Sequence, residues 1–466
     1  MFGRTTLKNI VMAMALACTM VRADAVVQPA GDSLVSKRDD SDDMKGTEYQ
    51  DVSARYNAKS EKARKVGEDH GKNHIPDDAK LTTLKLKGEN TKFALYWSAK
   101  TDPKRATHAF VMIHGKLRDG YHYWTVMNDA WKSAMDDNYR GVSPNTLIIA
   151  PEFYSTEQNK GQYDNETLAW DDVNAWQAGM RATHPKSTNA TAIDALDRLL
   201  YELSDLDKYP KLNNMTIVAH GGGAQLLSRY AAVGGDPEDK HLHVRYIIGD
   251  PSSSPYFTKD RPLTHGKAAN KSDCPLYNSW RYGFEDFPGT LLGNKSPKHY
   301  YSKYVSRDIV NIVGYKDTSK NGDQKCMAVL QGGHRRRDRN LSWWRYINML
   351  GRTNENLHGF PGNFSDLPDW SDVTNGVIRT RLSVAEDATH DPARVFKSKV
   401  GRAALFSHDD VEQGWRPDGW KYQPPKNNSQ FPDRVKHNKS KYDVNKPSSK
   451  SSSSTSSSKS SSSTSS

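Results

Sequence analysis

Five short runs of almost purely apolar residues constrain the fold of this chain more than any other feature. Each run is five or six residues long and is rich in Ile, Val and Ala. Strands that are buried on both faces of a parallel sheet have this composition, because none of their side chains points to water. The runs lie at 109–114, 146–150, 215–219, 244–249 and 309–313.

Stretches with helical periodicity alternate with these runs. Apolar residues recur at i, i+3, i+4 and i+7 in 121–134 and 192–203, and shorter candidates lie at 225–233 and 341–350. An early strand hairpin is predicted over 84–97, with its turn near Gly88. Strands that alternate with helices predict a doubly wound, mostly parallel α/β sheet, which we place at 84–408.

The positive charge of the chain lies mainly at its two ends. The 466 residues include 66 Lys and Arg against 55 Asp and Glu, a net charge of +11, which invites a nucleic-acid hypothesis. Residues 1–38 hold five basic and two acidic groups, and residues 421–466 hold nine basic and two acidic groups. Residues 39–420 are therefore close to neutral, and no nucleic acid is expected as a partner.

The N-terminal segment has the pattern of a secretory signal. Basic residues precede an apolar run and a small-x-small cleavage site at 23–25, so a signal peptide is predicted over 1–25. The apolar run is too short to span a bilayer, so no transmembrane segment is expected. The dibasic 37–38 predicts a pro-segment at 26–38, before a charged extension at 39–83. Residues 409–466, rich in Lys and Ser, predict a disordered tail that could contact an acidic cell surface or wall.

Two further patterns agree with a secreted protein. Cys18 leaves with the signal peptide, and Cys274 and Cys326 then form an even pair that predicts a disulfide, with two buried free thiols as the alternative. Asn-x-Ser/Thr sequons predict glycosylation at the surface. They occur at Asn165, Asn189, Asn214, Asn270, Asn294, Asn340 and Asn363, and in the tail at Asn427 and Asn438.

The segment 217–225 follows an apolar strand, reads Ile-Val-Ala-His-Gly-Gly-Gly-Ala-Gln and opens a helix. This is the context of a nucleophile elbow, where small residues surround a strained turn and one side chain projects over the sheet. The motif is G-x-S-x-G, and Gly221 stands where the serine is expected. Glycine has no side-chain atom that can attack a carbonyl, so acyl-enzyme formation by the usual route is excluded.

The chain resembles secreted and bacterial serine-hydrolase-like proteins of the α/β-hydrolase family. The resemblance covers about 84–408 and is carried by short motifs in the family's order. These lie at 113–115, 219–225, 249–256, 314–318, 331–335 and 390–391. The resemblance implies an α/β-hydrolase fold in which Asp317 is the acid that orients His390, the base. It also implies an oxyanion hole made by backbone N–H groups of Gly222 and Lys116. Where the family has Gly-x-Gly-His, this chain has Asp-Ala-Thr-His at 387–390.

Several neighbouring features have two interpretations. Residues 251–308 form a long connection rich in aromatic residues, which is either a cap over the pocket or ordinary packing. The serines at 252–254 favour a turn, with a substitute nucleophile as the alternative. The Arg-rich run 335–339 favours a solvated helix start over an anion site. Metal-ligand spacing and a phosphate loop are absent from the sequence, so neither a metal nor a cofactor is expected.

Three functions remain open. The missing serine favours a secreted pseudohydrolase, which binds a small-molecule, ester-like or glycan ligand without turnover. The second is an active hydrolase of esters or related acyl compounds, in which His390 and Asp317 activate water or a non-standard nucleophile. The third is a structural cell-wall or cell-surface protein, with the Ser-rich tail as its stalk.

Overall fold

The computed structural model describes residues 74–171, 175–237, 241–263, 269–320, 322–407 and 410–422. The predicted signal peptide, the pro-segment, most of the charged extension and most of the tail lie outside these residues. No helix in the described part of the chain combines the length and the hydropathy that a membrane span needs.

A central sheet of eight strands organises the described chain. Its strands are β1 (Ala79–Lys85), β2 (Lys92–Ser98), β3 (His108–Ile113), β4 (Thr146–Glu152), β7 (Asn214–His220), β8 (His243–Gly249), β9 (Asp308–Gly314) and β10 (Arg381–Ala385). Two short strands, β5 (Tyr154–Ser155) and β6 (Ala169–Trp170), lie outside it. Their order in the sheet is β1-β2-β4-β3-β7-β8-β9-β10, and β5 pairs separately with β6. Strand β2 runs antiparallel to both of its neighbours, and every other pair in the large sheet is parallel. This is the strand arrangement of the α/β-hydrolase fold, so the predicted fold class is confirmed.

Helices bury both faces of this sheet. They are α1 (Gly120–Asp136), α2 (Ala192–Leu203), α3 (Gly222–Val233), α4 (Pro297–Ser306), α5 (Cys326–Val329), α6 (Arg336–Leu350), α7 (Pro392–Lys397) and α8 (Lys399–Phe406), with 3-10 turns at Lys271–Asp273 and Ser371–Val373. Along β3, Phe110 and Met112 belong to one apolar core with α1 and α8. Val111 and Ile113 belong to the other core, with α2, α3 and α6. Because successive side chains of a strand point to opposite faces, a strand that is covered twice needs apolar residues throughout.

The helix with the clearest periodicity in the sequence, α2, has the bounds that the periodicity predicts. The Thr191 hydroxyl accepts a hydrogen bond from the backbone N–H of Asp194, and the Asp194 carboxylate accepts one from the N–H of Thr191. This capping box satisfies two backbone donors that a helix start otherwise leaves unpaired. The start of the helix is therefore fixed locally, as its sequence indicates.

The Arg-rich start of α6 is a correction to the sequence analysis. The helix begins at Arg336, five residues before the periodic stretch at 341–350. Arg336 and Arg339 are both buried, whereas Arg335 is exposed. The prediction of a solvated helix start is therefore wrong for two of these arginines, because they bind groups inside the protein.

The ordered domain is longer at both ends than the predicted 84–408. Strand β1 begins at Ala79 and pairs with β2 along its whole length. Beyond the predicted end, Gly414 forms a β-bridge with Val384, and the Trp415 ring lies 4.3 Å from that of Tyr315. The N-terminal boundary was obscured because β1 is an edge strand with alternating polar residues, which lack the apolar signal of the buried strands.

The aromatic residues of 251–308 pack mainly among themselves and against α6. The ring of Phe257 lies 5.7 Å from that of Trp343 on α6, and Phe284 stacks on Tyr300 at 5.2 Å. Trp280 donates its indole N–H to the carbonyl of Ala178 at 2.9 Å. These contacts fit the packing interpretation, and a cap over the pocket stays a prediction.

Cys274 and Cys326 form a disulfide, with their Cα atoms 5.8 Å apart. The predicted cross-link is therefore present, and the alternative of two free thiols is wrong. Its surroundings are a small apolar cluster that includes Tyr282, Met327 and Leu330. The bond connects the segment after β8 to the start of α5.

One predicted glycosylation position is buried. Asn340 lies in α6 with 5% of its surface exposed, and its amide nitrogen donates to the carbonyls of Pro251 (3.0 Å) and Arg336 (2.9 Å). A glycan has no access to this side chain in the folded protein, so its burial argues against glycosylation at Asn340. Asn214 is half-buried, and five further predicted positions are exposed: Asn165, Asn189, Asn270, Asn294 and Asn363. The sequons at Asn427 and Asn438 lie outside the described residues.

Candidate active site

The turn between β7 and α3 has an unusual backbone conformation. Strand β7 ends at His220, α3 begins at Gly222, and Gly221 between them has φ 59° and ψ −118°. This region of positive φ is strained for residues with a Cβ atom. The neighbouring glycines are also required by space, since a Cβ on Gly222 would lie 2.8 Å from the Lys116 nitrogen and one on Gly223 would collide with the His114 carbonyl. The segment 219–225 therefore has the sharp strand-to-helix turn of an elbow, with no side chain at its tip.

Asp317 and His390, which lie far apart in the sequence, meet beside this turn. Asp317 follows β9 and His390 precedes α7. The Nδ1 atom of His390 lies 2.9 Å from Oδ2 of Asp317, and the two residues are 5% and 1% exposed. Because a carboxylate only accepts hydrogen bonds, Nδ1 carries the proton in this pair. The other ring nitrogen, Nε2, is buried and has no hydrogen-bond partner in the described residues.

Arg336 binds the same carboxylate as His390 does. Its Nε atom donates to Oδ2 of Asp317 at 3.0 Å and its Nη2 atom donates to Oδ1 at 3.2 Å, with both side chains fully buried. Burial by itself raises the pKa of Asp317, but His390 and Arg336 outweigh it and hold the pKa well below its usual value. The role of Arg336 was not predictable from the sequence, because one buried arginine in an Arg-rich run has no signal of its own.

A second histidine–carboxylate pair lies directly beside the first. His220 is the last residue of β7, and its Nε2 atom lies 3.4 Å from Oδ2 of Asp250, which follows β8. The rings of His220 and His390 lie 4.4 Å apart. Both oxygens of Asp250 accept from the backbone N–H of Gly314 at 3.0 Å. His220 and Asp250 were part of the motifs that carry the resemblance, but nothing in their spacing indicated that they meet His390.

The predicted oxyanion groups lie close together at the elbow. The N–H of Gly222 belongs to the first turn of α3, where backbone donors lack partners within the helix. The Lys116 nitrogen lies 2.8 Å from the position of a Cβ on Gly222, and the Gln177 amide nitrogen lies 3.1 Å from the same position.

His114 holds the loop that contains Lys116. Phe153 donates its N–H to Nε2 of His114 at 3.0 Å, which leaves the proton of the ring on Nδ1, facing the Gly115 carbonyl at 2.7 Å. The loop that contains Lys116 is therefore fixed to β4 by a buried histidine.

Gln177 is a site residue that the sequence analysis did not identify. It is fully buried, and its Oε1 atom accepts from Nε2 of Gln225 on α3 at 3.0 Å. Its own Nε2 atom is buried without a hydrogen-bond partner in the described residues. The amide therefore provides a third N–H donor at the turn, beside those of Gly222 and Lys116.

The serines at 252–254 make contacts that hold the chain in place, in a segment with a bend at Ser252. Ser253 donates its hydroxyl to Oε1 of Gln225 at 2.8 Å and accepts from Arg229 at 3.1 Å. The backbone N–H and carbonyl of Ser254 both bind the side-chain amide of Gln331, each at 2.8 Å. The carbonyl of Ser252 accepts from Arg339 at 2.8 Å. These contacts hold the segment after β8 against α3 and α6.

The chemistry that this site can perform is set by two facts. It retains a histidine with an unprotonated nitrogen, a carboxylate that orients it, and several N–H donors at one turn. It has no hydroxyl or thiol at the tip of the elbow, and its ionisable groups are almost completely shielded from water. A reacting molecule could reach His390 only if the covering residues moved.

No protein-family model matches this chain, and no curated protein sequence matches it. Several solved structures are similar to it. A poly(3-hydroxybutyrate) depolymerase of Bordetella parapertussis matches at 17% identity and a TM-score of 0.45, over 70% of this chain and 90% of that one. A siderophore hydrolase of Aspergillus nidulans matches at 12% identity and a TM-score of 0.37, over 74% of this chain and 99% of that one. A poly(aspartic acid) hydrolase of Sphingomonas matches at 15% identity and a TM-score of 0.43, over 68% of this chain and 95% of that one.

Proposed function

We propose that this chain is a secreted pseudohydrolase, an α/β-hydrolase-fold protein that binds an ester-like or glycan ligand without turning it over. The observation that carries the proposal is Gly221 at the tip of the elbow, in the strained conformation of φ 59° and ψ −118°. The backbone between β7 and α3 has the sharp turn at which a hydrolase of this fold has its nucleophile, and Gly221 has no side chain there. Without a side chain at this position, no acyl-enzyme forms there.

The contact between Arg336 and Asp317 supports the same proposal. In a working triad, the negative charge of the acid stabilises the imidazolium that forms when the base takes a proton. Here the guanidinium of Arg336 already compensates that charge through two hydrogen bonds. Asp317 therefore already has a buried cation as its partner, which the acid of such a triad does not need.

Secretion and glycosylation belong to the proposal as well. The Cys274–Cys326 disulfide fits an oxidising compartment, where such bonds form and persist. Exposed sequons such as Asn189 are accessible to glycosylation in that compartment. The signal-like N-terminal segment and the Lys- and Ser-rich tail remain sequence-based support.

A second candidate, a hydrolase that activates water directly, is favoured by one observation. Nε2 of His390 is buried and has no hydrogen-bond partner among the described residues, while Nδ1 is held by Asp317. A water molecule between this nitrogen and a carbonyl could give up its proton to His390 as it attacked. The N–H groups of Gly222 and Lys116 would then stabilise the negative charge on the carbonyl oxygen.

The experiment that separates the two candidates compares wild type with Gly221→Ser and Gly221→Ala. All three proteins are treated with a fluorophosphonate probe and assayed on short chromogenic esters. The pseudohydrolase proposal expects no labelling and no turnover in wild type, and labelling in Gly221→Ser alone. Gly221→Ala is the matched control, because it introduces the same backbone strain without a hydroxyl.

The contrary outcome is equally specific. Ester turnover by wild type that disappears in His390→Ala, with the circular dichroism spectrum unchanged, would establish the water mechanism and overturn the pseudohydrolase proposal. Absence of labelling in a folded Gly221→Ser protein would show that the turn does not position a nucleophile for the base.

A further inference from the structure

We propose that His220, Asp250 and His390 form a binding site for one divalent transition-metal ion, of which zinc is the representative tested below. The inference goes beyond the proposed function and does not depend on it. Two imidazoles and one carboxylate are a donor set that zinc and iron(II) sites in proteins use. The sequence did not predict this site, because its ligands come from the ends of two strands and from the segment before α7.

The distances come close to those of a metal site. One ligand atom from each residue can be chosen so that the three atoms lie within 4.8 Å of one another. Zinc bonds of 2.0–2.1 Å to nitrogen or oxygen place tetrahedral ligand atoms about 3.4 Å apart. Nε2 of His220 and Oδ2 of Asp250 are already at 3.4 Å. A movement of the His390 ring by at most about 1.4 Å would bring the third ligand to the same spacing.

The tautomer of His390, with its proton on Nδ1, is the one that a metal ligand at Nε2 requires. Its Nδ1–H donates to Asp317 at 2.9 Å, so the lone pair lies on Nε2. This nitrogen is buried in a residue that is only 5% exposed, and it has no hydrogen-bond partner in the described residues. Metal-binding histidines characteristically donate their other N–H to a carboxylate, which fixes the ring and makes it a better ligand. Asp317 has that position relative to His390, and Arg336 holds Asp317 in turn.

The charges of the cluster also favour a cation. Asp250 is fully buried, and His220 is the basic side chain found within ion-pair distance of it in the described residues. Asp317, by contrast, has its own buried cation in Arg336. A buried carboxylate without a full positive charge beside it is costly, and a divalent ion would supply that charge. Backbone donation from Gly314 to both oxygens of Asp250 keeps the carboxylate in place for this role.

Gly221, directly after His220, has no side chain. A serine nucleophile at this position would point from the elbow toward the base. Three protein ligands also leave a fourth coordination position for water or for an oxygen atom of a ligand, as in catalytic zinc sites. The metal would therefore occupy part of the place of the missing nucleophile.

The test measures metal binding by the full-length chain, without any substrate. Wild type is dialysed against a chelator, titrated with Zn²⁺ by calorimetry and analysed for bound zinc by mass spectrometry. Co²⁺ serves as a spectroscopic probe of a four-coordinate site, and Mg²⁺ as a hard ion that this donor set does not favour. We expect one tightly bound Zn²⁺ per chain and weak binding of Mg²⁺.

Two variants and one control assign the ligands. Asp250→Asn keeps an acceptor for the Gly314 N–H and tolerates the φ of 46° at this position, and it should weaken Zn²⁺ binding by tenfold or more. His390→Gln should do the same and abolish the Co²⁺ spectrum. His334→Gln, a half-buried histidine that hydrogen-bonds to Gln324, should bind as wild type does.

The proposal is overturned if wild type binds no zinc at a stoichiometry near one. It is also overturned if folded Asp250→Asn and His390→Gln bind zinc as tightly as the His334→Gln control. Melting curves of all variants establish that they are folded, and either ligand variant alone is sufficient for the comparison. Ester turnover plays no part in these readouts, so the failure of this proposal and the failure of the pseudohydrolase proposal are distinguishable.

Discussion

Replacing Arg336 with methionine tests whether the buried ion pair with Asp317 holds this part of the protein together. The guanidinium makes two hydrogen bonds to the carboxylate, at 3.0 and 3.2 Å, and both side chains are inaccessible to water. Methionine retains the length of the side chain and removes the charge. Asp317 then remains buried, with His390 as its other partner.

The expected cost follows from the burial of the pair. Removing one member of a buried ion pair typically lowers the free energy of unfolding by about 3–5 kcal/mol, because the other charge stays behind without its partner. In a domain of this size the melting temperature should fall by roughly 4–7 °C. Arg335→Met, one residue earlier at an exposed position, is the matched control and should change the free energy by less than about 0.5 kcal/mol.

The contribution of the Arg336–Asp317 ion pair to the free energy of unfolding should depend on pH. Because the pKa of Asp317 is lowered in the folded state, the pair contributes its full stability at pH values above the ordinary pKa of 3.8. That contribution is lost as the pH falls toward the lowered value. The difference between wild type and Arg336→Met should therefore be constant from pH 8 to pH 5 and should narrow below about pH 4.

The assay is chemical denaturation of wild type, Arg336→Met, Asp317→Asn and the double variant. A stabilising ion pair requires that the double variant be clearly more stable than the sum of the two single effects implies. Additive effects, or a cost below about 1 kcal/mol for Arg336→Met, would refute the reasoning, since the carboxylate would then not need the guanidinium.

Three further predictions concern other parts of the molecule. Burial raises the pKa of Asp197 to about 6, so Asp197→Asn should stabilise the protein by up to about 3 kcal/mol at pH 8 and by only about 0.5 kcal/mol at pH 4, as measured by urea denaturation at each pH. The double variant Cys274→Ala/Cys326→Ala lacks the disulfide, which closes a loop with a sequence separation of 52 residues, and its free energy of unfolding should be lower than that of wild type by about 4 kcal/mol. Equal stability of reduced and oxidised wild type would contradict this prediction. Glycopeptide mapping should find glycan at exposed Asn189 and none at buried Asn340; glycan at Asn340 would mean that α6 forms only after modification.

The sequence alone predicts most strands of the sheet, because these strands are covered by helices on both faces. Every position of such a strand has to be apolar, so runs such as 109–114 stand out without any knowledge of the fold. The same reasoning failed for β1, an edge strand whose polar positions face water. Helix α2 was predicted with its bounds because its apolar periodicity is local, and the Thr191–Asp194 capping box found in the structure is local as well.

The candidate site was only partly readable from the sequence, for a physical reason. Gly221 was identified because an elbow is a local pattern of strand, small residues and helix. Asp317 and His390 came from the resemblance, and the structure places them in contact. Arg336 and Gln177 were missed because their roles depend on contacts with residues far away in the chain. The sequence does not distinguish a buried arginine from an exposed one.

The Cys274–Cys326 disulfide has a consequence for the connectivity of the site. The bond closes a covalent ring of chain that contains α4, β9 and Asp317, whereas His390 and Arg336 lie outside the ring. The exposed Leu291 and Leu292, at 78% and 50% exposure, are on this ring. A protease that cut the chain there would leave both pieces in one molecule. His220 and Asp250, on the N-terminal piece, would thus stay covalently tethered to Asp317 and His390 on the C-terminal piece, and that tether would be lost only on reduction.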